Sequence, residues 1–141
     1  YILSGNYLLG ICLGMQLLVD SSDEFGFHQG LGLIPGEARS LCSKDKKVPH
    51  VGWNSISQLK PNESTSWQGA ILNDIEPDSD FYFVHSHAVF LKDQENSLAY
   101  TQYADEFFSS VIQKGNIIGC QFHPEKSGKT GAIVINNFLE L

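Results

Sequence analysis

Apolar and polar positions alternate along the chain in short, β-like runs with few helical stretches between them. Tyr7-Leu8-Leu9 is an apolar run closed by Gly10, and Met15 to Asp20 continues without Gly or Pro. That segment predicts a strand, a sharp turn and a helix. Gly26, Gly30, Gly32, Pro35 and Gly36 fall too densely for a helix and predict a loop leading to a short strand. Lys44 to Lys47 predicts a charged turn. Val48 to Ile56 contains Pro49 and Gly52, so an edge or bulged strand is expected. Phe81-Tyr82-Phe83-Val84 is an aromatic and β-branched strand ending at His85-Ser86-His87, with a second apolar run at Ala88 to Leu91. Ser97 to Tyr103 and Ser109 to Gln113 add strands. Lys114-Gly115-Asn116 predicts a hairpin turn into Ile117 to Phe122, which Pro124 stops. Gly131 to Leu141 predicts a C-terminal helix with Ile135, Phe138 and Leu139 at helical spacing. With no internal repeat, the layout is mixed α/β with an antiparallel component in its second half.

Composition narrows the class. A chain of 141 residues with 42% hydrophobic and 18% charged residues is expected to form one domain with a buried core, not a disordered tail. The net charge of −7 disfavours nonspecific binding to nucleic acid or anionic membranes. No apolar stretch approaches the roughly 18–20 residues of a spanning helix. Cys12, Cys42 and Cys120 cannot all pair and show no C-x-x-C spacing, which fits a reducing cytoplasm. Cys42 and Cys120 read as structural, and Trp53 and Trp67 as core or interface aromatics. His85-x-His87 could place two imidazoles on one strand face, but no third ligand cluster accompanies them, so no metal is expected.

The sharpest chemical feature is Gly10-x-Cys12-x-Gly14 between a predicted strand and helix, the steric pattern of a nucleophile elbow with cysteine in place of serine. Small flanking residues suit a strained turn with close approach on both sides. A helix starting just after Cys12 is expected to lower the thiol pKa, and the Leu13 N–H to stabilise an oxyanion. The bland alternative is a buried small hydrophobe. A cysteine nucleophile needs a base and the base an orienting group. His123-Pro124-Glu125 offers both just past a strand end; alone, such a triplet is more often a surface turn.

Gly10-Ile11-Cys12-Leu13-Gly14-Met15-Gln16, taken with Gln121-Phe122-His123-Pro124-Glu125, resembles the class I (triad) glutamine amidotransferases. Gly30-Leu31-Gly32-Leu33-Ile34-Pro35-Gly36, Val48-Pro49-His50-Val51-Gly52-Trp53-Asn54, Tyr82-Phe83-Val84-His85-Ser86 and His123-Pro124-Glu125-Lys126-Ser127-Gly128 are similar to the glutaminase subunits of imidazole glycerol phosphate synthases. The resemblance implies a flavodoxin-like three-layer α/β sandwich with a mixed sheet. It also implies hydrolysis of L-glutamine by Cys12, with His123 as proton shuttle and Glu125 orienting it. Leu13, Gly14, Gln16, Glu24, Ser86 and His87 match substrate-binding positions. Pro49, Trp53, Tyr82 and Lys126 match the face meeting a HisF-like (β/α)8-barrel cyclase in a heterodimer that makes imidazole glycerol phosphate and an aminoimidazole carboxamide ribotide. No cofactor, nucleic acid or membrane is implied, and the location is cytoplasmic. The family usually has Tyr at the position of His87, and its domain begins with strand–helix units upstream of the elbow, including a glycine-rich loop. Residues 1–141 are therefore expected to be a single, N-terminally truncated domain. Three other readings stand beside this one: a paralogous glutaminase supplying ammonia for sugar amidination in surface polysaccharide synthesis, a catalytically silent binding subunit, and a cysteine peptidase on a related elbow. The intact Cys12, His123 and Glu125 disfavour the second; Gln16 and the His-Pro-Glu-Lys segment disfavour the third.

Overall fold

The computed structural model describes residues 1–42, 47–58, 67 and 70–141; most of the expected charged turn at 44–47 lies outside them. The elements in chain order are β1 (Leu8–Ile11), α1 (Leu13–Leu17), β2 (Ser21–Ser22), β3 (His28–Gln29), β4 (Gly36–Ser40), β5 (His50–Ser55), β6 (Asp80–His85), β7 (His87–Leu91), β8 (Ser97–Tyr103), β9 (Glu106–Lys114), β10 (Ile117–Cys120) and α2 (Gly128–Leu139). The main sheet runs β1-β10-β9-β7-β4-β2-β3, with β8 also paired to β9. It is mixed: β1 lies parallel to β10 and β2 to β4, while β10, β9, β7 and β4 pair antiparallel. Strands β5 and β6 form a separate antiparallel ribbon.

Period-two alternation buries both faces of the sheet. Ile112, Ile117 and Val89 pack with Met15, Leu18 and Val19 in the core on the α1 side. Their chain neighbours Val111, Ile118 and Ala88 pack with Phe81, Phe83, Phe122 and Val134 on the side of the ribbon and α2. The expected mixed α/β architecture, helices on both faces of one sheet, is what forms. No helix among the described residues is long and apolar enough to cross a membrane.

Three details differ from expectation. Helix α1 stops at Leu17, short of Asp20, because the following loop takes over its carbonyls. Leu31 N–H donates to Leu17 O (2.8 Å), Leu33 N–H to Leu18 O (2.9 Å) and Gly32 N–H to Val19 O (3.0 Å). Strand β5 is an edge strand but has no bulge. Its pairing with β6 runs in unbroken register from His50↔His85 to Ser55↔Asp80, with Pro49 just outside the strand and Gly52 absorbing a φ of 138°. In α2 the inward positions are Gly131 and Val134, whereas Leu139 is exposed. The reason is the close seat of Gly131 against the turn after β10: a Cβ there would lie 1.9 Å from the Pro124 carbonyl oxygen. That contact rotates the helix away from the face that Ile135 and Leu139 alone suggest.

Candidate active site

β1 and β10 run parallel, with Ile11 opposite Cys120, so their C-terminal ends deliver Cys12 and Gln121-Phe122-His123 to the same edge of the sheet. The Cys12 N–H continues the ladder to Cys120 O (2.8 Å) before the chain turns sharply. Cys12 has φ 52° and ψ −106°, a strained conformation for a residue with a Cβ. Gly10 makes the turn possible, since a Cβ there would meet the Gly14 carbonyl group at 2.6 Å. At Gly14 a Cβ would meet nothing within 4 Å. The close approach expected on both sides therefore exists on one, and Gly14 borders open space.

The thiol differs from expectation too. Burial pushes Cys12 above its ordinary value; the Leu13 N–H and the Gln121 amide pull it back, and the Glu125 and Glu24 carboxylates push it up again. Desolvation outweighs the two donors, one of them the Leu13 N–H at the start of a five-residue helix. The sulfur lies 3.8 Å from Val84 O and 3.6 Å from Gln121 Nε2.

His123 and Glu125 are paired: Glu125 Oε1 lies 2.6 Å from His123 Nδ1. Pro124 turns the chain between them, and the turn is fastened to β6. His123 N–H donates to Tyr82 O (2.9 Å), Tyr82 N–H donates to Ser127 Oγ (3.0 Å), and Ser127 Oγ–H donates to His123 O (2.6 Å). The Cys12 sulfur meets the carbonyl of Val84, two residues along the same strand, so β6 registers the nucleophile candidate and the base candidate against each other.

Of the expected substrate-binding residues, Leu13 and Gly14 follow the elbow directly. Gln16 is buried, its Nε2 bonded to His87 O (2.8 Å) and Gln121 Oε1 (3.2 Å). Glu24 and His87 come together: His87 Nδ1 is 3.7 Å from Glu24 Oε1 and His87 Nε2 is 3.2 Å from Asp23 Oδ1. Among the described residues, His87 Nδ1 is buried without a hydrogen-bond partner. Ser86 sits at the bend between β6 and β7, its carbonyl accepting from Leu41 N–H (2.9 Å). Of the expected interface residues, Trp53 stands opposite Tyr82 on the ribbon with ring centroids 6.1 Å apart, and it is 58% exposed. Pro49 directly precedes β5, and Lys126 lies in the turn that Ser127 ties to Tyr82.

His85 and His87 do not share a site. His85 Nδ1–H donates to His87 O (2.8 Å), and its Nε2 faces His50 Nδ1 at 2.9 Å in a buried pair stacked among Phe83 and Tyr103. Burial pushes His85 down to about 4, the His87 carbonyl working against that shift and the charges of His123 and His87 adding to it. Cys120 is buried, and burial pushes its thiol up; Cys42 is exposed and not part of the core. Trp67 is a core residue whose Nε1–H donates to Ile75 O (2.5 Å).

Sequence reasoning did not single out two residues that the structure places at the thiol and on the ribbon surface. Gln121 was visible only as part of a motif, and Val51, 56% exposed on the same side of β5 as Trp53, is legible from period-two spacing alone.

The glutamine amidotransferase class-I family model matches residues 1–141. The chain belongs to that family. Curated relatives include the imidazole glycerol phosphate synthase subunit HisH 1 of Legionella pneumophila strain Lens, 44% identical over 98% of this chain and 66% of its own length. The HisH subunits of Vibrio cholerae (48% identical, 95% of this chain, 64% of its own) and Moorella thermoacetica (46%, 95% and 60%) are similar as well. The chain thus spans 60–66% of the length of these relatives. Two solved structures share the fold. One is a putative GMP synthase subunit from Thermoplasma acidophilum (TM-score 0.65, 18% identity, 99% of this chain and 59% of that one). The other is a glutamine amidotransferase from Thermotoga maritima (0.51, 16%, 94% and 46%).

Proposed function

We propose that the protein is the glutaminase component of an imidazole glycerol phosphate synthase, hydrolysing L-glutamine to glutamate and ammonia with Cys12, His123 and Glu125. The observation that carries the reading is the elbow conformation of Cys12 at the end of β1, with its sulfur against β6, the strand to which the paired His123–Glu125 turn is fastened. Glu125 occupies His123 Nδ1 and leaves Nε2 for proton transfer. His123 takes the thiol proton as the sulfur attacks the side-chain amide carbon. The Leu13 N–H, already turned towards the sulfur, stabilises the oxyanion of the tetrahedral adduct. Collapse of the adduct returns the proton to the departing ammonia and leaves a glutamyl thioester on Cys12. His123 then takes a proton from water, the hydroxyl attacks the thioester, and glutamate leaves as the thiol is restored.

Space beside Gly14 suits the substrate, and Gln16, Glu24, Ser86 and His87 are the residues proposed to hold it; the Glu24 carboxylate acts on the thiol through its charge and lies 3.7 Å from His87 Nδ1. Ammonia passes to a (β/α)8-barrel cyclase of the HisF type, forming a heterodimer through Pro49, Trp53, Tyr82 and Lys126, with Val51 added to that face. The exposed, largely apolar ribbon surface supports this docking role, as do the names of the relatives. The test is a complex carrying Cys12→Ala. Glutamine-dependent synthesis is lost while free ammonia still supports the cyclase; loss of both would show that Cys12 holds the complex together and does no chemistry.

A further inference from the structure

Two carboxamides lie buried end to end beside the thiol, and neither is explained by packing alone. Gln121 is fully buried, its backbone N–H donating to Ser110 O (2.9 Å). Its side chain places Nε2 3.6 Å from Cys12 Sγ and Oε1 3.2 Å from Gln16 Nε2. An amide can be turned over, so the direction of such a chain depends on a group that can only accept. The His87 carbonyl is that group. Gln16 Nε2 lies 2.8 Å from it and must present its N–H there. The second N–H of Gln16 reaches Gln121 Oε1, which leaves the Gln121 amino group facing the sulfur. Turning either amide over would set oxygen against oxygen or oxygen against sulfur lone pairs, in a place without solvent to relieve it.

We propose that Gln121 is a catalytic hydrogen-bond donor to the Cys12 sulfur, with Gln16 and the His87 carbonyl as the positioning groups that hold its amino face there. This rests on the reading of Cys12 as the attacking atom. Sulfur carries most negative charge at the moment its proton has gone to His123 and the bond to substrate carbon has not yet formed. A fixed N–H aimed at it stabilises that state more than the thiol or the thioester. With the Leu13 N–H, Gln121 is one of two donors opposing the desolvation of the thiol. Gln16 then has divided work: its nitrogen orients Gln121, and its Oε1 has no partner among the described residues and stays available to substrate.

The test reads the thiol directly, without turnover. In a Cys42→Ser background, because Cys42 is exposed and would react, alkylation of Cys12 by iodoacetamide is followed against pH by peptide mass spectrometry. Gln121→Leu removes the donor, and Gln121→Glu keeps its shape and the Gln16 contact while turning acceptors to the sulfur. The expected result is a rise of about one pH unit or more in the alkylation midpoint for Gln121→Leu, and a larger rise for Gln121→Glu. Gln16→Leu gives a smaller shift. Glutamine kcat falls about tenfold or more in Gln121→Leu with KM nearly unchanged. A Gln121→Leu protein that melts like the parent and keeps its alkylation profile and kcat overturns the proposal. If that variant does not fold, an unshifted profile in Gln121→Glu overturns it equally. Should Cys12→Ser still hydrolyse glutamine, the reading of the nucleophile fails, and the alkylation profile still decides whether Gln121 donates to the sulfur.

Discussion

Two paired histidines lie along β6, His85 ending the strand and His123 bonded to Tyr82 within it, and they differ in the partner each faces. His123 is bonded through Nδ1 to a carboxylate, Glu125, and the Glu125 side chain reaches solvent, so a second proton on the ring meets a negative partner. His85 is bonded through Nε2 to another imidazole, His50, inside a ring of aromatic side chains, and a second proton there would set N–H against N–H. Its neighbour His50 is fixed in turn by Asn54 Nδ2 at 3.3 Å, which also donates to Gln102 O (2.9 Å). The same residue type thus faces a solvent-reaching carboxylate in one pair, which suits the proton shuttle proposed for His123, and is a buried hydrogen-bonding group among aromatic rings in the other. The partner atom decides which.

The comparison breaks most sharply by substitution. His123→Ala is expected to slow glutamine hydrolysis about 10²–10⁴-fold and leave the urea midpoint nearly unchanged. His85→Ala is expected to cost about 2–4 kcal/mol of stability through the cavity and the lost contact to His50. Steady-state rates and urea curves on both variants would show the assignment to be inverted if stability fell with His123 and rate alone with His85.

Acid sharpens it next. His85 falls from an ordinary 6.5 to about 4 in the folded chain, so between those values the unfolded chain binds the extra proton and the folded one does not. Stability is full above about pH 6.5 and declines as pH falls towards 4, by roughly 3 kcal/mol from this residue. Urea midpoints across that range test it, and a flat profile would mean that His85 charges freely. Glu125→Gln has the next effect. It keeps a hydrogen-bonding side chain but removes the charge facing the imidazolium, and is expected to lower kcat about 10–100-fold; an unchanged rate would make the His123–Glu125 contact merely structural. The smallest effect is at the ribbon. Trp53→Ala, at a mostly exposed ring, is expected to change stability by less than about 0.5 kcal/mol while weakening cyclase binding in a titration. A large loss of stability with unchanged binding would make Trp53 a packing residue.

The longer strands were legible because they bury one or both faces in a period-two pattern, unlike the exposed two-residue β3, and the elbow because Gly10 and Cys12 carry its sterics in sequence. The His123-Pro124-Glu125 pairing was also readable, since a proline between two polar residues returns the third towards the first. What could not be read depended on distant partners. The end of α1 is set by backbone donors from Leu31 to Leu33, and the inward face of α2 by Gly131 against Pro124. The thiol illustrates the limit best. A helix N-terminus is visible in a sequence, but the burial that overrides it is a property of the assembled fold.

The most direct test of the central claim is to quench the protein in acid during turnover of L-glutamine with its cyclase partner and to weigh the Cys12 peptide. A fraction of that peptide carrying one glutamyl group as a thioester, absent in Cys12→Ser, is the predicted result. Glutamate formed at the normal rate with no acyl group on Cys12, or with Cys12→Ser fully active, would contradict it.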